Sequence, residues 1–67
     1  MTDDELKAMK KEVSSKKRIA MEMASQIHDL VEDRLLTDYS ELVALAQKTV
    51  AACEEWAAAD SRFRSAS

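Results

Sequence analysis

From Asp3 onward, apolar side chains recur at steps of three and four: Leu6, Met9, Val13, Ala20, Met23, Ile27 and Leu30, with Lys16 the polar residue in the series. This is a heptad seam of roughly three and a half repeats, and it predicts one long amphipathic helix over about residues 4–35. Thr2, Asp3 and Asp4 stand where a cap is needed, and the run "DDE" places negative charge at the positive end of the helix dipole. Ala24 and Val31 widen the seam along one side.

A second helix is predicted over about residues 39–63. Its start signal is "TDYSEL", where Asp38 and Glu41 have the D-x-x-E capping spacing. Leu42, Leu45, Thr49, Ala52, Trp56, Ala59 and Phe63 form one seam, and Val43, Ala46, Val50, Cys53 and Ala57 form another beside it. Two adjacent seams make a face wider than one partner helix covers. The tail "SRFRSAS" is expected to fray.

The connection is left only about residues 35–38, and so short a link makes its helices antiparallel neighbours. The predicted architecture is all-α: a single antiparallel two-helix hairpin, coiled-coil-like, over residues 1–67. One hairpin leaves the outer seam wet, so two should pair as a homodimer into a four-helix bundle.

Composition supports this reading. The chain has no glycine and no proline, where average usage would give about eight in this length, so little irregular backbone is expected. At 67 residues the core is marginal, which also favours oligomerisation. Cys53 is alone, which rules out a disulfide within one chain and suits a reducing compartment. The first ten residues are charged, unlike a signal peptide, and no apolar run approaches the ~20 residues of a membrane span. A cytoplasmic protein without a membrane anchor is expected.

Charge is unevenly spread. Residues 1–20 carry six Lys/Arg against four Asp/Glu, whereas residues 21–60 carry nine acids against two bases. The bases Lys10, Lys11, Lys16, Lys17 and Arg18 form a candidate nucleic-acid footprint. Against it stand the net charge of −3 and the interleaved Asp3, Asp4, Glu5 and Glu12; solvated charge is the better reading.

His28, the only histidine, directly follows seam residue Ile27, and Glu32 lies one turn on. An imidazole and a carboxylate at that spacing make half of a site for a divalent transition metal. The plainer alternative is an ion pair on a helix surface, which spacing alone favours. Cys53, among alanines, is expected in the core, as are Trp56 and Phe63. There is no glycine-rich phosphate loop and no nucleophile with a base, so an enzyme is not expected.

The stretch "HDLVEDRLLTDYSELVALAQKT" (His28 to Thr49) adds a further line. It resembles a family of small helical hairpins encoded beside nitrogenase genes, called Rop-like for their two-helix shape and described as metalloproteins. His28, Asp29, Leu30, Glu32 and Asp33 match its first part, Thr37, Asp38 and Tyr39 its turn, and Ala46, Gln47, Lys48 and Thr49 its second helix. The chain departs from the pattern in lacking the turn's proline, replaced by Arg34 to Leu36, and in having Val50 in place of a tyrosine. The resemblance spans about residues 10–57. It implies a non-enzymatic accessory role in nitrogen fixation, docking to a nitrogen-fixation protein, with a metal contact at His28 and Glu32 as its companion. Two other readings stay open: a Rop-like nucleic-acid adaptor, and a structural or chaperone helix pair.

Overall fold

The computed structural model describes residues 2–67. Helix α1 spans Asp3–Asp29, a π-helical turn Leu30–Arg34, a short α2 Leu35–Asp38, a 3-10 turn Tyr39–Glu41 and α3 Leu42–Ala66. Among the described residues there is no strand. Helical hydrogen bonding therefore runs with hardly a break from one end to the other.

That run is not straight. A single helix over residues 3–66 would be about 96 Å long at 1.5 Å per residue, whereas the longest dimension is 51 Å and the others are 15 and 11 Å. Two ion pairs register the halves: Arg62 Nη2 lies 2.9 Å from Glu12 Oε1, and Lys16 Nζ lies 3.5 Å from Glu55 Oε2. Both pairs are centred near residues 35–37, so α1 and α3 lie side by side and antiparallel.

The chain reverses without leaving negative φ. Arg34 (φ −132°, ψ 15°) and Asp38 (φ −118°, ψ 18°) are displaced from helical geometry, both toward the sparsely populated bridge region. Arg34 Nη1 donates to Asp38 Oδ2 at 3.2 Å, and Thr37 Oγ1 donates to the Arg34 carbonyl at 3.3 Å. These local bonds replace the glycine or proline that a tight turn ordinarily uses.

Three expectations change here. The first regular helix ends at Asp29 rather than near residue 35, because the backbone widens into the π turn before reversing. Asp38 forms no capping bond; its carboxylate is taken by Arg34, and α3 starts at Leu42 with no side-chain cap. The tail stays helical through Ala66, and the Ser67 N–H closes the last turn on the Phe63 carbonyl. At the other end Thr2 is the cap, its hydroxyl accepting from the Glu5 N–H at 3.2 Å.

The interface between α1 and α3 is built from the two predicted seams. Leu6, Met9, Val13, Met23 and Ile27 are half-buried against Leu42, Leu45, Thr49, Trp56 and Phe63. The buried residues are Ala20, Leu30, Ala52 and Ala59. Three of the four are alanines, which let the helix backbones approach closely. Lys16, the polar interruption, sits half-buried and sends its ammonium to Glu55 at the rim. Thr49 satisfies its hydroxyl on the Leu45 carbonyl at 2.9 Å.

Among the described residues Leu30 is the one large side chain with no exposed surface, and it opens the π turn, which packs against α1, α2 and the 3-10 turn. Its truncation should leave a cavity exactly where the two halves are joined. Leu30→Ala is expected to destabilise the fold by about 2–5 kcal/mol, measured by urea denaturation followed by circular dichroism. A loss under about 1 kcal/mol would mean that the reversal is held by its hydrogen bonds instead.

Candidate functional site

The seams fix what lies on either side of the helix pair. The residue after each seam position is turned by about 100°. Viewed from one end, antiparallel helices rotate in opposite senses, so both sets of following residues land on the same side of the pair. On α1 and the turn these are Met21, Ala24, His28 and Val31, with Leu35, which shares a groove with Val31, extending the row; on α3 they are Val43, Ala46, Val50, Cys53 and Ala57. Glu12, Glu55 and Arg62 each precede a seam residue and fall on the opposite side, where the ion pairs form.

The hairpin thus has the cross-helix ion pairs on one side and, over its turn-proximal half, a mostly apolar stripe on the other; Asp60 and Arg64, paired at 2.9 Å, occupy the equivalent positions at the open end. Met21 is 63% exposed, Val31 48%, Val43 66% and Val50 55%. The second seam of α3 is therefore uncovered within the chain. Cys53 lies on it and is exposed, which corrects the expectation of a core thiol: it belongs to the outer seam, and nothing in its own chain packs over that seam.

His28 occupies the middle of the apolar stripe on α1, between Ala24 and Val31. Together with Ile27 and Glu32 these residues line a shallow groove. His28 Nδ1 lies 3.5 Å from Glu32 Oε2, with both side chains exposed. That is long for a hydrogen bond. It is close to the roughly 3.4 Å that separates two ligands held at about 2.1 Å on a tetrahedral ion.

The half-site is not completed within one chain. Asp29 and Asp33 are exposed on neighbouring positions, and no group of three or more His, Cys, Asp or Glu side chains is assembled for a metal among the described residues. Structural and catalytic zinc sites need three or four protein ligands.

Of the candidate nucleic-acid residues, Lys10, Lys11, Lys17 and Arg18 are exposed, while Lys16 is half-buried and engaged with Glu55. One feature was not anticipated. Leu36 is 88% exposed and Tyr39 65% exposed at the tip of the reversal. The signal was present in "RLLTDY", where two leucines and a tyrosine occupy positions at which a turn normally carries polar residues.

As an exposed pair on one helix, His28 and Glu32 contribute little to folding. Glu32→Gln is expected to shift stability by less than about 0.5 kcal/mol, checked by thermal denaturation. A larger loss would show that the pair is structural rather than available for a ligand.

The model of the Rop-like family matches residues 4–67, nearly the whole chain, and the chain belongs to that family. No curated protein and no solved structure matches it. No helix among the described residues is long and apolar enough to cross a membrane.

Proposed function

We propose that this Rop-like chain is a non-enzymatic accessory protein that acts as a dimer of hairpins. The observation that carries the reading is the largely uncovered stripe, built from nine apolar positions and His28 along the helix pair and its turn and facing away from the cross-helix ion pairs. A second copy brings an identical surface, so an isologous contact is self-complementary. The result is a four-helix bundle in which Val43, Val50, Met21 and Val31 become core. Each such side chain contributes about 1.5–3 kcal/mol when fully buried.

The apolar stripe does not run the full length of the hairpin. Toward the open end, the equivalent positions are Lys7, Lys10, Ser14 and Lys17 on α1, and Asp60 and Arg64 on α3. The symmetry axis therefore belongs over the turn-proximal half. On α1 the stripe is centred on His28, so an axis there brings the two half-sites together. His28 and Glu32 from each chain then offer two nitrogens and two oxygens, a donor set suited to a divalent transition metal such as zinc.

The context of nitrogen fixation rests on the likeness of "HDLVEDRLLTDY" to the hairpins encoded beside nitrogenase genes. In that setting the bundle works by docking to a nitrogen-fixation protein in the cytoplasm and by holding a metal. It makes and breaks no bonds of a substrate. The nucleic-acid reading has Lys10, Lys11, Lys17 and Arg18 in its favour, all exposed on α1. It predicts RNA binding that weakens steeply with salt.

Two measurements test the dimer and the metal separately. Sedimentation at micromolar concentration should find a dimer, and Val43→Asp with Val50→Asp should give a helical monomer; a wild-type monomer would refute the pairing. Cys53 should react with a thiol reagent slowly in the dimer and quickly in that monomeric variant. Calorimetric titration with Zn(II) should saturate at one ion per two chains and lose at least about tenfold in affinity in His28→Ala, about 1.4 kcal/mol. Binding that ignores the substitution would leave His28 as a surface imidazole.

A further inference from the structure

The tip of the hairpin has a chemistry of its own, distinct from both long sides. Leu36 and Tyr39 are the most solvent-exposed and third most exposed of the large apolar side chains, at 88% and 65%. Neither lies on the apolar stripe, so face-to-face pairing leaves both uncovered. Beside them Glu32, Asp33, Arg34, Leu36 and Thr37 line a shallow groove in the π turn and α2, whose far edge, Val31 and Leu35, belongs to the stripe. A π turn interrupting an α-helix often marks a functional position.

The rim of this patch is acidic. Residues 28–47 contain Asp29, Glu32, Asp33, Asp38 and Glu41 against Arg34 alone, a balance of −4. The whole chain carries −3, so everything outside the tip sums to +1. Arg34 is committed to Asp38 at 3.2 Å, which leaves the carboxylates of Asp29, Asp33 and Glu41 without a recorded ion-pair partner among the described residues. Asp33 lines the groove of Leu36, while Asp29 and Glu41 line a neighbouring one with Arg34 and Lys48; a net excess of acid beside exposed apolar side chains favours a partner carrying the opposite charge.

We infer that the reversal tip is a docking point for a basic amphipathic helix of a partner protein, which seats its apolar residues on Leu36 and Tyr39 and its Lys or Arg side chains on Asp29, Asp33 and Glu41. The inference rests on the accessory-protein reading and names the surface and partner chemistry through which that role is exercised. The chain's own open end is a poor occupant. It is basic, but its Lys7, Lys10, Lys11, Lys17 and Arg18 are interleaved with Asp3, Asp4, Glu5 and Glu12, and its apolar Leu6, Met9 and Phe63 are already half-buried in the seam. An anionic lipid surface is repelled by the same carboxylates.

The probe is a fluorescently labelled synthetic helix of Leu/Lys heptads, titrated with the full chain and followed by anisotropy. Two control peptides replace Leu by Ser or Lys by Glu. Saturable binding of the Leu/Lys helix is expected, weaker by about tenfold for Ser/Lys and absent for Leu/Glu. Leu36→Ser and Tyr39→Ser each leave the charge unchanged and should weaken binding by about tenfold, with helix content preserved. Asp33→Asn with Glu41→Gln should lower affinity and flatten its salt dependence.

Equal affinity for the Ser/Lys peptide, or no effect of Leu36→Ser and Tyr39→Ser, would overturn the inference, since the attraction would then be diffuse charge alone. So would salt-dependent head-to-tail association of the chain abolished by the same variants, or binding of the chain to lipid vesicles through the tip. Val43→Asp with Val50→Asp should leave peptide binding intact. Its own readout is the sedimentation result, so failure of the tip and failure of the dimer give different patterns.

Discussion

A chain without glycine or proline must reverse direction using only backbone conformations open to ordinary residues, and the rest of the molecule depends on how it does so. The solution is two residues, Arg34 and Asp38, moved from helical angles toward the bridge region and joined by their own side chains. Neither needs positive φ. The backbone stays nearly helical through the reversal, so few amide groups are left without a helical partner. Leu30 continues the seam of α1 as the first residue of the π turn and is buried, while Arg34 at the end of that turn is exposed. A shift of that register by one residue would turn the seam of α1 away from that of α3.

Once the register is set, the faces follow from the heptad alone. Seam positions make the contact between α1 and α3, the positions before them carry the ion pairs, and the positions after them carry the uncovered apolar stripe. The two cross-helix ion pairs are exposed or half-exposed and so contribute little stability. Their value is in orientation, because they lie only on the side away from the stripe. The hydrophobic area inside one hairpin is small: three of the four buried residues are alanines. A chain of this size with so thin a core gains most by burying the stripe as well.

The seams were legible in the sequence because steps of three and four are a direct consequence of helix geometry. Every apolar position assigned to the inner seams is buried or half-buried. Those assigned to the outer seam of α3 are mostly exposed, in keeping with the expectation that one hairpin leaves this seam wet. The failures fell where geometry depends on three-dimensional closure. Asp38 and Glu41 have the spacing of a capping pair, yet Arg34, four residues earlier, takes the Asp38 carboxylate. Periodicity does not reveal such competition. Cys53 is exposed in the single chain along with the rest of the outer seam: apolar neighbours mark a face, but they do not say whether the same chain covers it.

The position of His28 links these levels. It is the single titratable or ligating residue within an otherwise apolar stripe on α1, and it stands at the stripe's middle with Glu32 at the separation of two ligands on one ion. In a lone hairpin this is an incomplete donor set, and an ion gains little there over water. In the proposed dimer a symmetry axis would double the set, and the apolar residues on either side would exclude solvent from it. Metal and second chain would then be bound cooperatively: an ion that prefers the paired half-sites stabilises the dimer, and by reciprocity the dimer raises affinity for the ion to the same degree. The core inside one hairpin is mostly alanine, so in the proposed dimer a coupling of this kind would add to what burial of the stripe contributes.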